Sequence, residues 1–343
     1  MSVFIIAEAG VNHNGDAERA LAMVDVAREA GADAIKFQTF STDKVIGPTA
    51  EKAEYQKRET GEGSQRDMVR PLEMSDDLHR RLADRCREQG IEFMSTPFDE
   101  EAADFLLDLG MKRIKVPSGE IVNHPFLRFL ASKDRPLIVS TGMATLDEIE
   151  EAVAVIAATR AACGFTVPME RMVTVLHCTS NYPAACSDVN LRAMRTIADT
   201  TRLPVGYSDH TLGVAVSTAA VALGATVIEK HFTLDGSLSG PDHRASLEPD
   251  ELAALVRQIR DVEAALGSPV KAPTESEIPV RAVVRRSVTA RRDLPAGHTL
   301  APEDLILLRP ATGVPAKALD EVIGQTLKGP VAAGVPLQWE NLD

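Results

Sequence analysis

Two short apolar runs in the second half of the chain each lead to a histidine. PVGYSDH (204–210) ends in His210, and TVIEKHF (226–232) contains His231. An Ala- and Val-rich segment typical of a helix separates them, so the stretch predicts a strand–helix–strand unit with parallel strands. Because parallel strands end at the same edge of a sheet, the two imidazoles can reach one metal ion.

Alternation along the same two runs places polar groups beside the histidines. Successive side chains of a strand point to opposite faces, so Ser208 shares a face with His210, and Glu229 shares a face with His231. Two histidines with open coordination positions are typical of a catalytic metal site. The alternative is that the two histidines cap their strand ends and form local hydrogen bonds. These residues alone leave both interpretations open.

The strands that position these groups belong to a longer series. Helical patterns, many of which end in Gly, separate eight short apolar runs. The runs are FIIAEAG (4–10), AIKFQT (34–39), EFMSTP (92–97), RIKVPSG (113–119), PLIVSTG (136–142), MVTVLHCTS (172–180), PVGYSDH (204–210) and TVIEKHF (226–232). Eight repeats predict an α/β fold, a (β/α)₈ TIM barrel. The alternative is an open doubly wound sheet, which the lack of a GxGxxG after the first run disfavours.

Polar residues lie at the C-terminal ends of these runs, where barrels carry their active sites. They are Glu8, Asn12, His13, Asn14, Lys36, Gln38, Thr96, Lys115, Ser118, Glu120, Ser140, Thr141, His177, Ser180, Ser208, His210, Glu229 and His231. Solubility does not require polar groups at all eight ends, so the pattern predicts a catalytic mouth.

The series of repeats stops near residue 267, where the composition changes. The chain therefore divides into a barrel domain (1–266), a linker (267–283) rich in Pro, Ser and Thr, and a small β-rich domain (284–343). An insertion, residues 40–75, separates the second and third repeats. A loop of this length is either functional, such as a lid over the mouth, or a surface excursion, here with a short helix near residues 51–57. The sequence leaves both open.

Composition narrows the function classes. The chain has 343 residues, a net charge of −13, 44% hydrophobic and 25% charged residues. The acidic balance disfavours nucleic-acid binding. No apolar run is long enough to span a bilayer, and the start of the chain does not read as a signal peptide. Four scattered cysteines fit reduced thiols, so we expect a cytoplasmic protein.

Nine motifs in order resemble the sialic acid synthases, the family that makes N-acetylneuraminate, legionaminate and pseudaminate. They are AEAGVNHNG (7–15), IKFQT (35–39), STPF (95–98), IKVPSGE (114–120), STGM (140–143), LHCTSNYP (176–183), GYSDHT (206–211), EKHFTLD (229–235) and GPDH (240–243). The C-terminal domain resembles the antifreeze-like (SAF) domain that this family carries after its barrel. The resemblance covers nearly the whole chain.

The resemblance implies a reaction between phosphoenolpyruvate (PEP) and an N-acylated mannosamine-type sugar. With N-acetylmannosamine the products are N-acetylneuraminate and phosphate, formed with C–O cleavage of PEP, and this acceptor is the first expectation. The alternative acceptor is 2,4-diacetamido-2,4,6-trideoxymannose, which gives N,N'-diacetyllegionaminate. The family uses a divalent metal, commonly Mn²⁺, with Mg²⁺ or Co²⁺ as alternatives, and works as a domain-swapped homodimer.

The resemblance also implies residue roles. His210 and His231 match the metal ligands, and Glu8 and Glu120 match the acids that transfer protons, without showing which is acid and which is base. The residues that match PEP-binding positions are Lys36, Thr96, Lys115, Ser118, Ser140, Ser180 and Ser208. The residues that match sugar-binding positions are Gln38, Tyr182, Asp242 and Arg309, the last reaching in from the other subunit.

One position departs from the family pattern. Some N-acetylneuraminate synthases have Asn directly after His-Cys-Thr, whereas this chain has Ser180 there, followed by Asn181. Either residue is therefore the expected donor to PEP at this point.

Two other functions compete with this interpretation. The antifreeze-like tail alone would suit a non-catalytic binder of sugars or ice, but a binder does not require paired histidines and two acids at one mouth. A synthase of 3-deoxy-keto acids would use the same barrel and PEP with a sugar phosphate, and the SDHT and EKHF motifs with the tail favour the sialic acid branch.

Overall fold

The computed structural model describes residues 2–343, which fold as two compact units. The first unit ends at Gly267, and the second runs from Ser268 to Asp343. Each unit has its own cluster of buried apolar side chains. All four cysteines are free thiols, and no helix within residues 2–343 is both long and apolar enough to cross a membrane.

Eight parallel strands form the sheet of the first unit, as the series of apolar runs predicts. They are β1 (Phe4–Gly10), β2 (Ala34–Thr39), β3 (Glu92–Pro97), β4 (Ile114–Val116), β5 (Leu137–Ser140), β6 (Val173–Cys178), β7 (Val205–Asp209) and β8 (Val227–His231). The hydrogen-bonded order is β3-β2-β1-β8-β7-β6-β5-β4. Pairing of β1 with β8 closes the sheet into a barrel, with β3 and β4 adjacent but not hydrogen-bonded. The predicted TIM barrel is confirmed.

One main helix follows each strand and packs around the barrel. The helices are Ala17–Glu29, Asp76–Gln89, Glu100–Asp108, His124–Ala131, Leu146–Ala162, Ala193–Thr201, Ala215–Ala222 and Pro249–Leu266. Polar caps explain several starts, since side chains of Asp16, Ser75, Asp99 and Thr145 accept bonds from the first-turn amides. The sequence thus specifies where each strand end gives way to a helix.

Apolar side chains fill the barrel interior below the strand ends. They are Ile6, Ala34, Met94, Ile138, Leu176 and Val227, with Phe4 packed against them. The larger cluster between sheet and helices is separate from this layer. Because the lower interior is closed by hydrocarbon, the polar residues at the strand ends form the floor of a mouth and not the wall of a pore.

The insertion is folded and not extended. It contains the helices Thr42–Val45, Glu54–Thr60 and Gln65–Val69 and a 3₁₀ turn at Arg70–Leu72. The short helix expected at 51–57 therefore starts three residues later than the sequence suggested.

The second unit is small and mostly irregular. Strands β9 (Ser287–Ala290) and β10 (Leu305–Leu308) pair antiparallel, and short turns lie at Pro302–Asp304, Ala316–Ala318, Leu319–Val322 and Trp339–Asn341. A helix, Glu277–Val284, occupies the end of the segment that the sequence analysis assigned to a linker. Thr274 explains the difference, because its amide and hydroxyl both donate to the Glu277 carboxylate and start the helix despite its proline.

Candidate active site

A cavity of about 530 Å³ opens at the carboxyl ends of the barrel strands. Its floor carries polar side chains from β1, β2, β4, β5, β7 and β8, and the insertion lines one side. This is the face on which barrel enzymes place their catalytic groups.

Two buried lysines and two buried glutamates form the centre of the floor. Lys36 Nζ lies 2.7 Å from a carboxylate oxygen of Glu8 and 3.6 Å from one of Glu229. Lys115 Nζ lies 3.7 Å from the other oxygen of Glu229, which also accepts a 3.0 Å hydrogen bond from Ser208. Strand register explains the cluster, because Glu8 lies beside Lys36 across β1 and β2, and β8 lies on the other side of β1.

The two carboxyls of this cluster differ in pKa. Burial raises the pKa of Glu8 to about 7, with Lys36 opposing the rise and Glu229 adding to it. Burial acts in the same direction on Glu229, but Lys115 and Lys36 outweigh it and hold the pKa of Glu229 below its ordinary value. Glu8 can therefore gain or lose a proton near neutral pH, while Glu229 is ionised.

The lysines are arranged to receive an anion. Burial favours the neutral form of Lys36, but Glu229 and Glu8 outweigh it and raise the pKa of Lys36. Burial lowers the pKa of Lys115, so an arriving anion would favour its charged form. With Glu8 protonated, both lysines face a single carboxylate, and the floor has room for further negative charge.

Hydroxyl groups extend the anion site on both lysines. Lys36 Nζ donates to Thr96 Oγ1 over 2.9 Å, and Lys115 Nζ donates to Ser140 Oγ over 2.7 Å. These hydroxyls can turn their protons toward a bound oxyanion, as phosphate recognition requires.

Gly142 brings two further hydroxyls together. Its amide donates to Ser118 Oγ over 3.0 Å. A Cβ at this position would lie 2.8 Å from Ser118 Oγ and would overlap Ser180 Oγ, so a glycine is needed for this approach. Ser118 and Ser180 both line the cavity, whereas Asn181 is exposed and does not. Of the two donors that the sequence left open, Ser180 is the one at the site.

The two histidines, at the ends of β7 and β8, lie side by side. Their ring centroids are 5.4 Å apart. His210 Nδ1 is 2.7 Å from the carbonyl oxygen of Thr179, a contact in which the ring N–H donates, and Cys178 Sγ lies 3.8 Å from the same nitrogen. His231 is buried, and its Nδ1 has no hydrogen-bond partner. Burial, followed by the neighbouring His210, lowers the pKa of His231 well below its ordinary value, so its ring stays neutral.

These features fit a metal site with two protein ligands. The Thr179 carbonyl fixes the tautomer of His210 so that Nε2 presents a lone pair, as in many metal-binding histidines. His231 is a neutral imidazole whose buried nitrogen lacks a partner. Within residues 2–343 there is no cluster of three or more His, Cys, Asp or Glu that could hold a metal. A metal held by the pair would therefore take its other ligands from water and substrate.

Aromatic rings connect the histidines to the insertion. The ring of Tyr182 lies over His210 with centroids 4.0 Å apart, and it meets His231 edge-on at 5.5 Å. Tyr55, from the insertion, lies 5.1 Å from Tyr182 on its other side. The rings form a continuous series of contacts from the histidine pair to the insertion.

Two polar side chains complete this side of the cavity. Gln38 Nε2 donates to Glu8 Oε1 over 3.4 Å. Asp242 is buried, and burial raises its pKa to about 6 while His210 and Lys36 oppose the rise. An amide and a carboxyl that can hold its proton are suited to hydroxyl and acylamino groups of a sugar.

The cavity brings together most of the residues that the sequence predicted. Those that line it are Glu8, Lys36, Gln38, Thr96, Lys115, Ser118, Ser140, Ser180, Tyr182, Ser208, His210, His231 and Asp242. Glu120 does not line it, because this half-buried side chain lies in a 3₁₀ turn after β4 and accepts a 2.6 Å hydrogen bond from Asn123. Arg309 lies in the second unit, exposed, directly after β10.

Glu229, Cys178 and Tyr55 are among the cavity residues that received no role from the sequence. Glu229 lies two positions before His231, and strand alternation alone indicated that it shares that face. Cys178 and Tyr55 also line the cavity. Tyr55 lies in the insertion, where no periodic pattern indicates which side chains point to the mouth.

Comparison with known proteins gives concordant results. The model of the NeuB family matches residues 23–271, and the SAF domain model matches residues 285–343. N,N'-diacetyllegionaminic acid synthase of Legionella pneumophila is 52% identical over 100% of this chain and 95% of its own length. The Campylobacter jejuni enzyme of the same name is 46% identical over 94% of each.

A solved structure agrees with both the fold and the family. The N-acetylneuraminic acid (sialic acid) synthetase of Leptospira borgpetersenii, crystallised with citrate, superposes with a TM-score of 0.71 at 35% identity. The match covers 82% of this chain and 90% of that one.

Fold, site and relatives together define an enzyme, a barrel synthase of the sialic acid type with a C-terminal SAF domain. The chain belongs to the NeuB family, and the resemblance read from its motifs is confirmed.

Proposed function

We propose that the protein condenses PEP with 2,4-diacetamido-2,4,6-trideoxymannose to give N,N'-diacetyllegionaminate and phosphate. One observation carries the proposal: a single cavity holds the buried lysines Lys36 and Lys115 together with the histidine pair His210 and His231. The reaction needs an anion site and a carbonyl-activating site side by side. The acceptor follows the two relatives of that name at 52% and 46% identity, which support it over the N-acetylmannosamine first expected.

PEP suits the floor of the cavity. Glu229 offsets only part of the positive charge of the two lysines. The phosphate and carboxylate of PEP can pair with the remainder. Lys36, Lys115 and the hydroxyls of Thr96 and Ser140 supply charge and donors in one buried cluster. Burial strengthens these interactions, because water does not compete for the charges.

The histidine pair suits the aldehyde of the open-chain sugar. A divalent metal, Mn²⁺ with Mg²⁺ or Co²⁺ as alternatives, would be held by His210 and His231 and would supply the Lewis acidity that makes the aldehyde electrophilic. Tyr182 packs over His210 and fixes the ring that presents its free nitrogen to this region.

Glu8 is the group best placed to move a proton. A carbon–carbon bond forms between C3 of PEP and the aldehyde carbon, water adds at C2, and phosphate leaves with the C2–O bond. The pKa of Glu8, about 7, lets this carboxyl give a proton to the aldehyde oxygen or take one from the water. We assign no such step to Glu120, since it does not line the cavity.

The test incubates the purified protein with PEP and Mn²⁺, with N-acetylmannosamine in one sample and the 2,4-diacetamido trideoxy sugar in the other. Phosphate release and product mass are followed together. We expect turnover with the second sugar. Turnover with N-acetylmannosamine alone would keep the chemistry and overturn the acceptor, and no turnover with either would overturn the proposed function.

A further inference from the structure

The insertion is held in one conformation by its own contacts. Its base is closed by Glu73, which accepts a 2.8 Å hydrogen bond from the Thr42 amide. Arg66 donates to the carbonyl of Ile46 over 2.7 Å, joining its first and third helices. The buried Lys52 donates to Thr60 Oγ1 over 3.0 Å. The insertion can therefore present a defined surface to the cavity.

That surface is mainly apolar, with Tyr55 and the amides of Gln56 and Gln65 beside the apolar side chains. The side chains Phe40, Ile46, Met68, Val69 and Leu72, here called the apolar wall, line the cavity from the insertion. Phe98, from the loop after β3, packs edge-on against Phe40 with ring centroids 6.0 Å apart. Every residue from 40 to 75 is described, and none of its Asp, Glu, Lys, Arg or His side chains lines the cavity.

The apolar wall belongs to the insertion, whereas the reacting groups lie on the barrel strands. Tyr182 contacts His210 on one side and Tyr55 of the insertion on the other, at 4.0 and 5.1 Å between ring centroids. A sugar whose aldehyde is held at the histidines extends along Tyr182, so its last carbons reach the insertion. The barrel floor and the insertion thus differ in chemistry, with charged side chains on the floor and mainly hydrocarbon on the insertion.

We propose that the apolar wall is the specificity-determining subsite for the C6 end of the acceptor, and that it selects a deoxy methyl group over a hydroxymethyl group. This inference rests on the proposed function and names the part of the substrate that the insertion reads. A methyl group gains by leaving water for this surface. A hydroxyl there would lose its hydration with no side-chain partner in the apolar wall.

Physical limits set the size of the selection. An apolar pocket rejects an analogue that merely adds a hydroxyl by about 10- to 100-fold. We therefore expect wild-type protein to prefer the trideoxy sugar over its 6-hydroxy counterpart by about that factor in kcat/KM. The two acceptors, 2,4-diacetamido-2,4,6-trideoxymannose and 2,4-diacetamido-2,4-dideoxymannose, differ by one oxygen atom.

Two variants test the assignment, the isosteric Val69→Thr and Ile46→Thr, whose side chain is one carbon smaller. Each places a hydroxyl in the apolar wall at a half-buried position, so the fold is retained, which thermal unfolding by circular dichroism checks. The matched control is Val167→Thr, in the loop before β6 at the opposite end of the barrel, where the side chain is 42% exposed. We measure kcat/KM for both acceptors and the KM for PEP.

The expected result is a fall in the acceptor preference of roughly 3- to 10-fold in each wall variant, from the new hydrogen bond to the 6-hydroxyl. The KM for PEP and the preference of Val167→Thr stay at wild-type values. Equal use of both acceptors by the wild type, or an unchanged preference in both wall variants, overturns the subsite while the proposed function stands. No turnover of either acceptor by the wild type overturns the proposed function and the subsite with it.

Discussion

Glu8 and Glu229 show how one floor holds two carboxyls in different protonation states. Both are buried, but Glu229 lies between two lysines, whereas Glu8 contacts Lys36 alone. The pKa of Glu229 is held down by its lysines, and the pKa of Glu8 is raised to about 7 by burial. Titratable neighbours whose pKa values are driven apart are typical of acid–base sites. Glu229 thus supplies a permanent negative charge, and Glu8 is the carboxyl that can carry a proton.

Glu8→Gln should lower activity and change the pH dependence of stability. The pKa of Glu8 is 4.5 in the unfolded chain and about 7 in the folded protein. Between these values the unfolded chain loses the proton more readily, so the stability of the wild type falls as pH rises. The variant cannot ionise. Relative to the wild type, the free energy of unfolding of the variant should therefore increase between pH 4.5 and about 7 and stay constant at higher pH. Turnover should fall roughly 100-fold or more.

Urea unfolding followed by circular dichroism at pH 5 and pH 8, with phosphate release as the activity assay, checks both parts. A stability difference that is the same at the two pH values would contradict the raised pKa. Wild-type turnover in the variant would remove Glu8 from the reaction.

Metal removal tests the role of the histidine pair. Exhaustive EDTA treatment should abolish PEP-dependent phosphate release, and added Mn²⁺ should restore it, because His210 and His231 supply only two ligands. His210→Ala should lose most turnover and Mn²⁺ binding by titration calorimetry, with an unchanged circular dichroism spectrum. Phosphate release that survives chelation would show that no metal takes part.

At the residue scale, strand alternation carried the sequence prediction and also set its limit. It placed Ser208, His210, Glu229 and His231 correctly, because all four lie on or at the end of regular strands. Glu120 lies beyond β4 in a 3₁₀ turn, where alternation no longer holds, and its carboxylate accepts a hydrogen bond from Asn123 and does not line the cavity. A residue is predictable while its backbone follows the strand.

At the element scale, β7 and β8 are fixed to each other by a buried ion pair on the outer face of the barrel. Lys230 Nζ lies 3.0 Å from Asp209 Oδ2, and both side chains are 0% exposed. Asp209 also accepts hydrogen bonds from Thr211 and from Ser217 in the following helix. Because each partner directly adjoins one histidine of the pair in sequence, we expect the ion pair to fix the spacing of the two imidazole rings.

Lys230→Met should therefore weaken metal binding as well as stability. Loss of one partner leaves Asp209 buried without a cation, which costs about 3–5 kcal/mol. We expect Mn²⁺ affinity to fall about tenfold, the range for groups that support metal ligands indirectly. Urea unfolding and titration calorimetry measure the two effects.

Lys133→Met is the matched control, because Lys133 also pairs with an aspartate, Asp104, at 2.6 Å but on the surface. This variant should lower the free energy of unfolding by less than about 1 kcal/mol and leave the metal affinity unchanged. Equal behaviour of the two variants would show that the buried pair does not position the histidines.

The barrel elements were predictable, and the insertion was not. All eight apolar runs became strands within a few residues, because repeated β/α units reinforce one another around a closed sheet. The insertion has short helices of 4, 7 and 5 residues, too brief for a periodic pattern to emerge. Its apolar wall depends on contacts distant in sequence, such as that of Tyr55 with Tyr182.

At the scale of the whole molecule, the cavity concentrates positive side chains although the chain as a whole is acidic. The chain carries a net charge of −13, yet its cavity concentrates Lys36 and Lys115 around one ionised carboxylate. A globally acidic protein can bind a multiply charged anion only where buried cations set the local potential. Few contacts outside this floor would attract PEP, so its recognition depends on the buried cluster.

The second unit gives the last prediction, which concerns assembly. We propose, from the resemblance to swapped dimers, that Arg309 of one subunit completes the site of the other, and Arg309 is exposed after β10 as this requires. Arg309→Ala and His210→Ala should each be nearly inactive alone. Mixed dimers regain one intact site, since an intact barrel meets an intact arginine, so random mixing should restore about a quarter of wild-type activity.

The experiment unfolds and refolds the two variants together, counts mixed dimers by native mass spectrometry and assays phosphate release. His210→Ala mixed with His231→Ala is the control, because every barrel then lacks a histidine and no activity should return. Mixed dimers that form without recovery would place Arg309 outside the partner's site. Full activity of Arg309→Ala alone would show that the reaction does not need the arginine, and a monomeric protein would remove the shared site altogether.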